Sequence, residues 1–301
     1  MTTVEAREIL ERLERKSSLN EEEEFELIEA LRYMIENTGE SKYSEWLGGI
    51  YYDKRMFDLA LKYYELAEAQ GSIWAWNGLG YIWYYGRTGA VDYEKAFSYF
   101  SKVKDYVGDE IGEFTRIEAS FKIADMYKNG FYVEKSEDKY VEIIEDLYKQ
   151  INDSEAFLPI AEVYTRLASI RVKQGKVEEA IDLYFDARND LVFRLKYNRF
   201  FGDLNRINWL VNDLYKLIEF DKTDFDLYDL FYLLKDEHLV SFKYKRKKHE
   251  IESRKSKEGE MNIRFDDKWY RNISDFFIKA DLGKESIEHE YDSLTDWRVE
   301  R

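Results

Sequence analysis

The 301-residue chain has no cysteine, a single proline and only three histidines. Without cysteine there are no disulfides, no thiolate metal ligands and no cysteine nucleophile, a composition that suits a reducing compartment. One proline leaves helices uninterrupted and supplies few rigid turns. Apolar runs are broken by Asp, Glu or Lys well short of the roughly 18 residues a membrane span needs. The opening residues, Met1-Thr2-Thr3-Val4-Glu5-Ala6-Arg7-Glu8, carry charge where a secretion signal would be apolar. These absences point to a cytoplasmic protein without a membrane partner. Basic residues are in deficit too: 46 Lys and Arg against 62 Asp and Glu give a net charge of −16. Such a surface does not bind nucleic acid over its whole extent, because phosphate contacts need cations.

Catalytic signatures are equally scarce. There is no G-x-S-x-G elbow, no phosphate-binding G-x-x-x-x-G-K-[ST] loop and no G-x-G-x-x-G fingerprint. His238, His249 and His289 lie far apart and outside any H-x-x-x-H pattern. Their acidic neighbours Glu237, Glu250, Glu288 and Glu290 would allow metal binding only through the fold, with plain surface histidines as the alternative. With 62 carboxylates, chance pairs are assured and none marks an acid–base dyad. No catalytic residue, cofactor or metal site is therefore assigned, and the chain reads as a non-enzyme.

What the sequence does contain is helical periodicity and aromatic side chains: 7 Trp, 25 Tyr and 19 Phe. Val4, Ile9, Leu10 and Leu13 form one amphipathic stripe. Asn20 and Glu23 form a capping box for a second helix, and Glu21 to Glu24 suit the positive end of its dipole. Beyond Gly39 a pattern recurs. Leu47-Gly48-Gly49-Ile50-Tyr51 precedes Ala60, Tyr64 and Ala67, and Leu79-Gly80-Tyr81-Ile82-Trp83 precedes Ala96, Phe100 and Val103. Ile123-Ala124-Asp125-Met126-Tyr127 precedes Tyr140, Ile144 and Leu147; Tyr164, Leu167, Ala168 and Arg171 precede Ala180, Tyr184 and Ala187. Small residues at Gly48, Gly80, Ala124 and Ala168 would let paired helices approach, with large residues one turn away filling the groove. Gly86, Gly130 and Gly175 supply the intervening turns, while the first copy lacks a glycine there.

This pattern resembles tetratricopeptide repeats, and its middle copies resemble the Sel-one-like variant. Leu79-Gly80-x-x-Trp83-x-x-Gly86 matches that variant's L-G-x-x-Y-x-x-G, and Val91-Asp92-x-x-Lys95-Ala96 approximates its V-x-x-D-x-x-K-A with two residues missing. The third copy has Val133-x-x-Ser136-x-x-Lys139-Tyr140, with Ser for Asp and Tyr for Ala, and the fourth is closer to an ordinary tetratricopeptide repeat. The resemblance covers residues 43–188 and implies an all-α, right-handed α-solenoid of antiparallel helix pairs that binds proteins or peptides. Residues 104–117 lengthen one link, and the cysteine pairs that staple some relatives are absent. The expected organisation is an N-terminal helix pair (1–40), repeats (41–190), further degenerate or capping helices (191–236), and a basic hairpin or loop with a last helix (237–301). Within the final segment, Val240, Phe242, Tyr244 and Met261, Ile263, Phe265 alternate as a short strand pair, with 245–260 as a polar loop. A closing helix is expected to hold Trp269, Tyr270, Ile273, Phe276, Phe277 and Ile278.

In the family the resemblance names, the first helix of each pair lines a concave groove. Mapped onto this chain, the lining becomes Glu45, Tyr52, Trp74, Asn77, Tyr81, Tyr84, Phe121, Asp125 and Lys128, then Glu162, Thr165 and Ser169. Trp and Tyr are common interface anchors, although Trp74 and Trp76 could instead pack against a neighbouring repeat. A second candidate is the basic patch Lys243, Lys245, Arg246, Lys247 and Lys248. Residues 241–257 hold eight Lys or Arg and two Glu, a local +6 that leaves −22 elsewhere. Such a block is either a patch for an acidic partner or nucleic acid, or a solvated tip drawn to the acidic body. The N-terminal 40 residues are acidic, which argues against a DNA-reading helix there. The leading expectation is a non-catalytic scaffold that recognises a protein or peptide through its groove and acidic surface, with an inhibitor or immunity-type protein for a basic partner as its sharper form. The alternatives are a peptide-sensing regulator and, behind it, an enzyme using residues 236–301. Oligomeric state is not encoded in any pattern identified.

Overall fold

The computed structural model describes residues 1–16, 18–154, 158–197, 202–257, 259–283 and 285–300. Local chemistry sets the first boundaries. Helix α1 (Thr3–Glu14) and helix α2 (Glu21–Thr38) each begin with a reciprocal capping box, Thr2 with Glu5 and Asn20 with Glu23. The expected acidic run therefore lies in the first turn of α2, where it faces the helix dipole. Gly39, at φ 67°, ends α2 in the left-handed conformation that glycine adopts without a Cβ clash.

Helix pairs follow. They are α3 (Ser41–Asp53) with α4 (Phe57–Ala69), α5 (Ala75–Tyr85) with α6 (Tyr93–Lys104), α7 (Glu113–Asn129) with α8 (Glu137–Asp153), and α9 (Ile160–Lys173) with α10 (Val177–Tyr197). The small residues do what their spacing predicts. A Cβ on Gly48 would lie 2.7 Å from the Tyr64 ring, one on Gly78 2.5 Å from the same ring, and one on Gly80 2.6 Å from Phe100. Tyr64 is thus wedged between the backbones of α3 and α5. In the first pair, which lacks a turn glycine, Arg55 takes the left-handed conformation at φ 59°.

Gly80→Ala tests this close packing. The added methyl gains helix propensity of about 1 kcal/mol but overlaps the fully buried Phe100 ring, and overpacking costs typically 1–3 kcal/mol. A net loss of stability of up to about 2 kcal/mol is expected in chemical denaturation, whereas a stabilised variant would contradict the packing.

The chain divides into two compact units, residues 1–159 and 160–301. In the first, one apolar core runs from α1 to α5 around Leu31, Met34, Leu47 and Leu79, and a second, around Phe100, Val103 and Met126, joins α5 to α8. The second unit begins with α9 and α10, against which α11 (Asp203–Leu214) packs. Of the further helices expected over 191–236, the stretch beyond α11 yields only a 3-10 turn at Leu227–Asp229 and the single-turn α12 (Leu230–Leu233). Its aromatics instead serve packing: Tyr228 stacks on Tyr291 and Phe277, and Phe231 on Phe277.

The C-terminal segment is more extensively β than a strand pair. Strands β1 (Leu239–Tyr244), β2 (Lys247–Lys255), β3 (Met261–Phe265), β4 (Lys268–Tyr270) and β5 (Thr295–Val299) form an antiparallel sheet in the order β4-β3-β2-β1-β5. Helix α13 (Ile273–Lys279) covers one face, its Phe276 against Phe265 and Tyr270. Two expectations are corrected here. Lys247–Lys255, read as loop, is strand β2, because His249, Ile251 and Ser253 point inward while charged residues occupy the alternate positions. Trp269 and Tyr270, read as helical, lie in β4.

Candidate partner-binding face

The first helices of three successive pairs, α3, α5 and α7, present side chains that meet one another within the first unit. On α5 the relevant stripe is Asn77, Tyr81 and Tyr85, spaced by four residues so that all share one side. On α7 it is Glu118, Lys122 and Asp125. Asn77 and Tyr81 donate to the two Glu118 carboxylate oxygens, each at 3.2 Å. Lys122 donates to the Tyr85 hydroxyl at 2.7 Å and lies 3.7 Å from Asp125. Its ammonium sits 4.9, 5.0 and 5.7 Å from the Tyr84, Tyr85 and Tyr81 ring centres, an aromatic cage closed on an internal cation. The lysine is 5% exposed, and the Phe121 ring of its own helix lies 5.5 Å away, so its charge is met by four rings, one hydroxyl and one carboxylate rather than by bulk water.

Arg87, one residue beyond the α5 C-terminal glycine, ties this set to α3. Its guanidinium lies 4.6 Å from the Tyr85 ring and 5.1 Å from Phe57, and it hydrogen-bonds the Tyr52 hydroxyl. Burial pushes the Tyr52 phenol up to about 12, partly offset by Arg87. Burial also raises the Glu45 carboxyl above its ordinary range, against a 3.3 Å hydrogen bond from Ser72. The Asn77 side-chain oxygen is buried without a hydrogen-bond partner among the described residues.

The sequence-selected residues divide accordingly. Tyr52, Asn77, Tyr81, Tyr84 and Asp125 come together on this face, and Trp74 stands at its edge, 46% exposed at the start of α5. Phe121 is 1% exposed within the fold, and Lys128 rests on the Tyr140 ring of its own pair at 4.7 Å. On α7 the predicted Asp125 thus joins Glu118 and Lys122, which meet Tyr81 and Tyr85, whereas Phe121 is taken up in the core and Lys128 in the contact with Tyr140. Tyr84 is not an open anchor either, since its ring touches Tyr85, Tyr93, Phe100 and Phe131. Sequence reasoning missed Tyr85, Arg87, Glu118 and Lys122. Carrying the Asn77–Tyr81 spacing one more turn would have reached Tyr85.

In the second unit, Glu162 is buried rather than lining a face. It accepts from Arg194 at 3.1 Å, and Arg194 also lies 3.5 Å from Asp190 and 3.4 Å from Asp203. Burial and the neighbouring Glu162 raise the Asp190 carboxyl to about 6, against the pull of Arg194. The basic patch lies on the β1–β2 hairpin. Lys243 pairs with Asp296 at 2.7 Å, and Lys248 with Glu250 at 3.2 Å and Glu300 at 3.0 Å. Lys245, Arg246 and Lys247 are exposed and carry no ion pair among the described residues.

Helix pairs joined by tight turns, with small residues at each crossing, define the first unit as a helical repeat array. Among solved structures, the chain is similar over 65% of its length to the crystal structure of a Sel1 repeat protein from Oxalobacter formigenes, with 18% identity, a TM-score of 0.46 and 71% of that chain covered. It is also similar over 65% of its length to c5321, a protective antigen of uropathogenic Escherichia coli strains displaying an SLR fold; there the identity is 16%, the TM-score 0.39 and the coverage 46% of that chain. No family model matches the chain, and no curated protein matches it. Among the described residues, no helix is long and apolar enough to cross a membrane.

Proposed function

We propose that the protein is a non-catalytic scaffold that binds a protein or peptide on the face formed by α3, α5 and α7. The observation that carries this reading is the joining of three successive helix pairs into one polar and aromatic surface through Glu118, Lys122, Tyr85 and Arg87, with Trp74 and Tyr85 exposed at its rim. A caged lysine holds the tyrosines in place before any partner arrives, which lowers the ordering cost of binding. The net charge of −16 favours a basic partner and speeds encounter with it, as an inhibitor or immunity-type protein would require.

The test is capture of partners from the native cell by wild type and by Trp74→Ala, at low and high salt, read by mass spectrometry. A specific partner whose binding weakens with salt and falls about tenfold or more in the variant is expected, as for a truncated aromatic anchor. A partner bound equally by both proteins at all salt concentrations would contradict the reading.

A further inference from the structure

The turn between α4 and α5 is clasped by α3. The Ser44 hydroxyl donates to the Gln70 side chain at 2.7 Å, and the buried Ser72 hydroxyl donates to Glu45, the residue after Ser44, at 3.3 Å. Two residues beyond Ser72 stands Trp74, so the clasp sets a carboxylate and a half-exposed indole at the same end of the face. Both are left unfinished. Burial holds the Glu45 carboxyl above its ordinary range, the Ser72 hydrogen bond alone opposes the shift, and no cation stands near it among the described residues. Trp74 meets neither a ring nor a cation among those residues. The rest of the face is matched internally. Lys122 has Asp125 and its rings, Arg87 has the Tyr85 and Phe57 rings, and Glu118 accepts from Asn77 and Tyr81. A carboxylate partly withdrawn from water without a cation is costly, and a pairing cation offsets that cost.

We propose that Glu45 and Trp74 form a subsite for an arginine side chain of the bound protein or peptide. The site rests on the reading of this face as the partner surface and gives that partner its chemistry. A guanidinium lies flat on an indole while its edge donates to a carboxylate, so one planar cation meets both groups together. A lysine ammonium, compact and strongly hydrated, lacks the plane that stacks. An aliphatic side chain would desolvate Glu45 further and leave it unpaired, and an acidic one would face a like charge. The net charge of −16 draws a basic segment toward the protein. The pairing of carboxylate with indole selects which residue enters.

The experiment follows the Trp74 indole N–H in NMR spectra of the full chain, assigned by its absence in Trp74→Phe, as N-acetyl-arginine amide is added. A saturable shift that weakens with salt is expected. Glu45→Gln, which keeps an acceptor for Ser72 and the shape of the side chain, should bind the probe about threefold or more weakly. N-acetyl-norleucine amide, neutral and of similar length, should leave the signal in place. An unmoved indole, an equal response to the norleucine probe or an unchanged affinity in Glu45→Gln would overturn the proposal. Capture of the partner separates this site from the reading it rests on. A partner lost by Trp74→Ala but held undiminished by Glu45→Gln would end the arginine site and leave the face standing. A partner indifferent to both variants would end the face and the site with it.

Discussion

Arg188→Met is expected to remove about 3–5 kcal/mol from the stability of the second unit at neutral pH, the cost of stripping one partner from a buried ion pair. The guanidinium holds two carboxylates, donating to Asp226 at 2.5 Å and to Asp229 at 2.9 and 3.1 Å. The same carboxylates accept from Tyr215 at 2.9 Å and Tyr291 at 2.7 Å, so one arginine joins α10, the segment after α11 and the C-terminal strand region. Burial, with Asp226 close by, raises the Asp229 carboxyl to about 6, although Arg188 opposes the shift. The folded state therefore holds that proton more tightly than the unfolded chain. Its stabilisation is complete below the ordinary carboxyl value, near pH 4, and is lost as pH rises through about 6. The cost of removing Arg188 should accordingly shrink in acid, where the Asp229 carboxyl takes up its proton, and grow toward neutrality. Urea denaturation at about pH 4.5 and at neutral pH reads both statements. A variant as stable as wild type at neutral pH would show that the two carboxylates do not need this cation.

Tyr84→Ala carries the second large effect and separates architecture from recognition. Its ring meets four aromatic neighbours and shares the cage around Lys122. Truncation should cost about 3 kcal/mol, in the range for a packed aromatic replaced by alanine. Trp74→Ala, at a side chain that is 46% exposed, should cost well under about 1 kcal/mol while leaving the cage intact. Thermal denaturation of the two variants measures the contrast. Equal destabilisation would mean that Trp74 is a packing residue and that the proposed face lacks its rim anchor.

The repeats were legible because close helix crossings demand small residues at fixed spacing, and Gly48, Gly80 and Ala124 advertise them. The face was only half legible. Register on α7 depends on which side of the helix meets the core, and Phe121 resembles an anchor as much as a core residue until its neighbours are known. The cage was hidden for a different reason: Lys122 is a charged residue at a buried position, and three of the rings around it, Tyr81, Tyr84 and Tyr85, arrive from another helix. The sheet was obscured by composition. His249 and Ser253 take inward positions in β2, and Glu252 is buried beneath Arg254 and Arg264, so alternation of apolar and polar residues never appears there.

A partner bound on the face formed by α3, α5 and α7 would lie within reach of its exposed rim, Trp74 and Tyr85. Photo-crosslinking side chains placed at positions 74 and 85, and as controls at the exposed positions 65 and 98 on the second helices α4 and α6, test it most directly. Crosslinks to one partner from positions 74 and 85, absent from 65 and 98, are the expected result. Crosslinks from 65 or 98 alone would place recognition on the opposite helices and contradict the account.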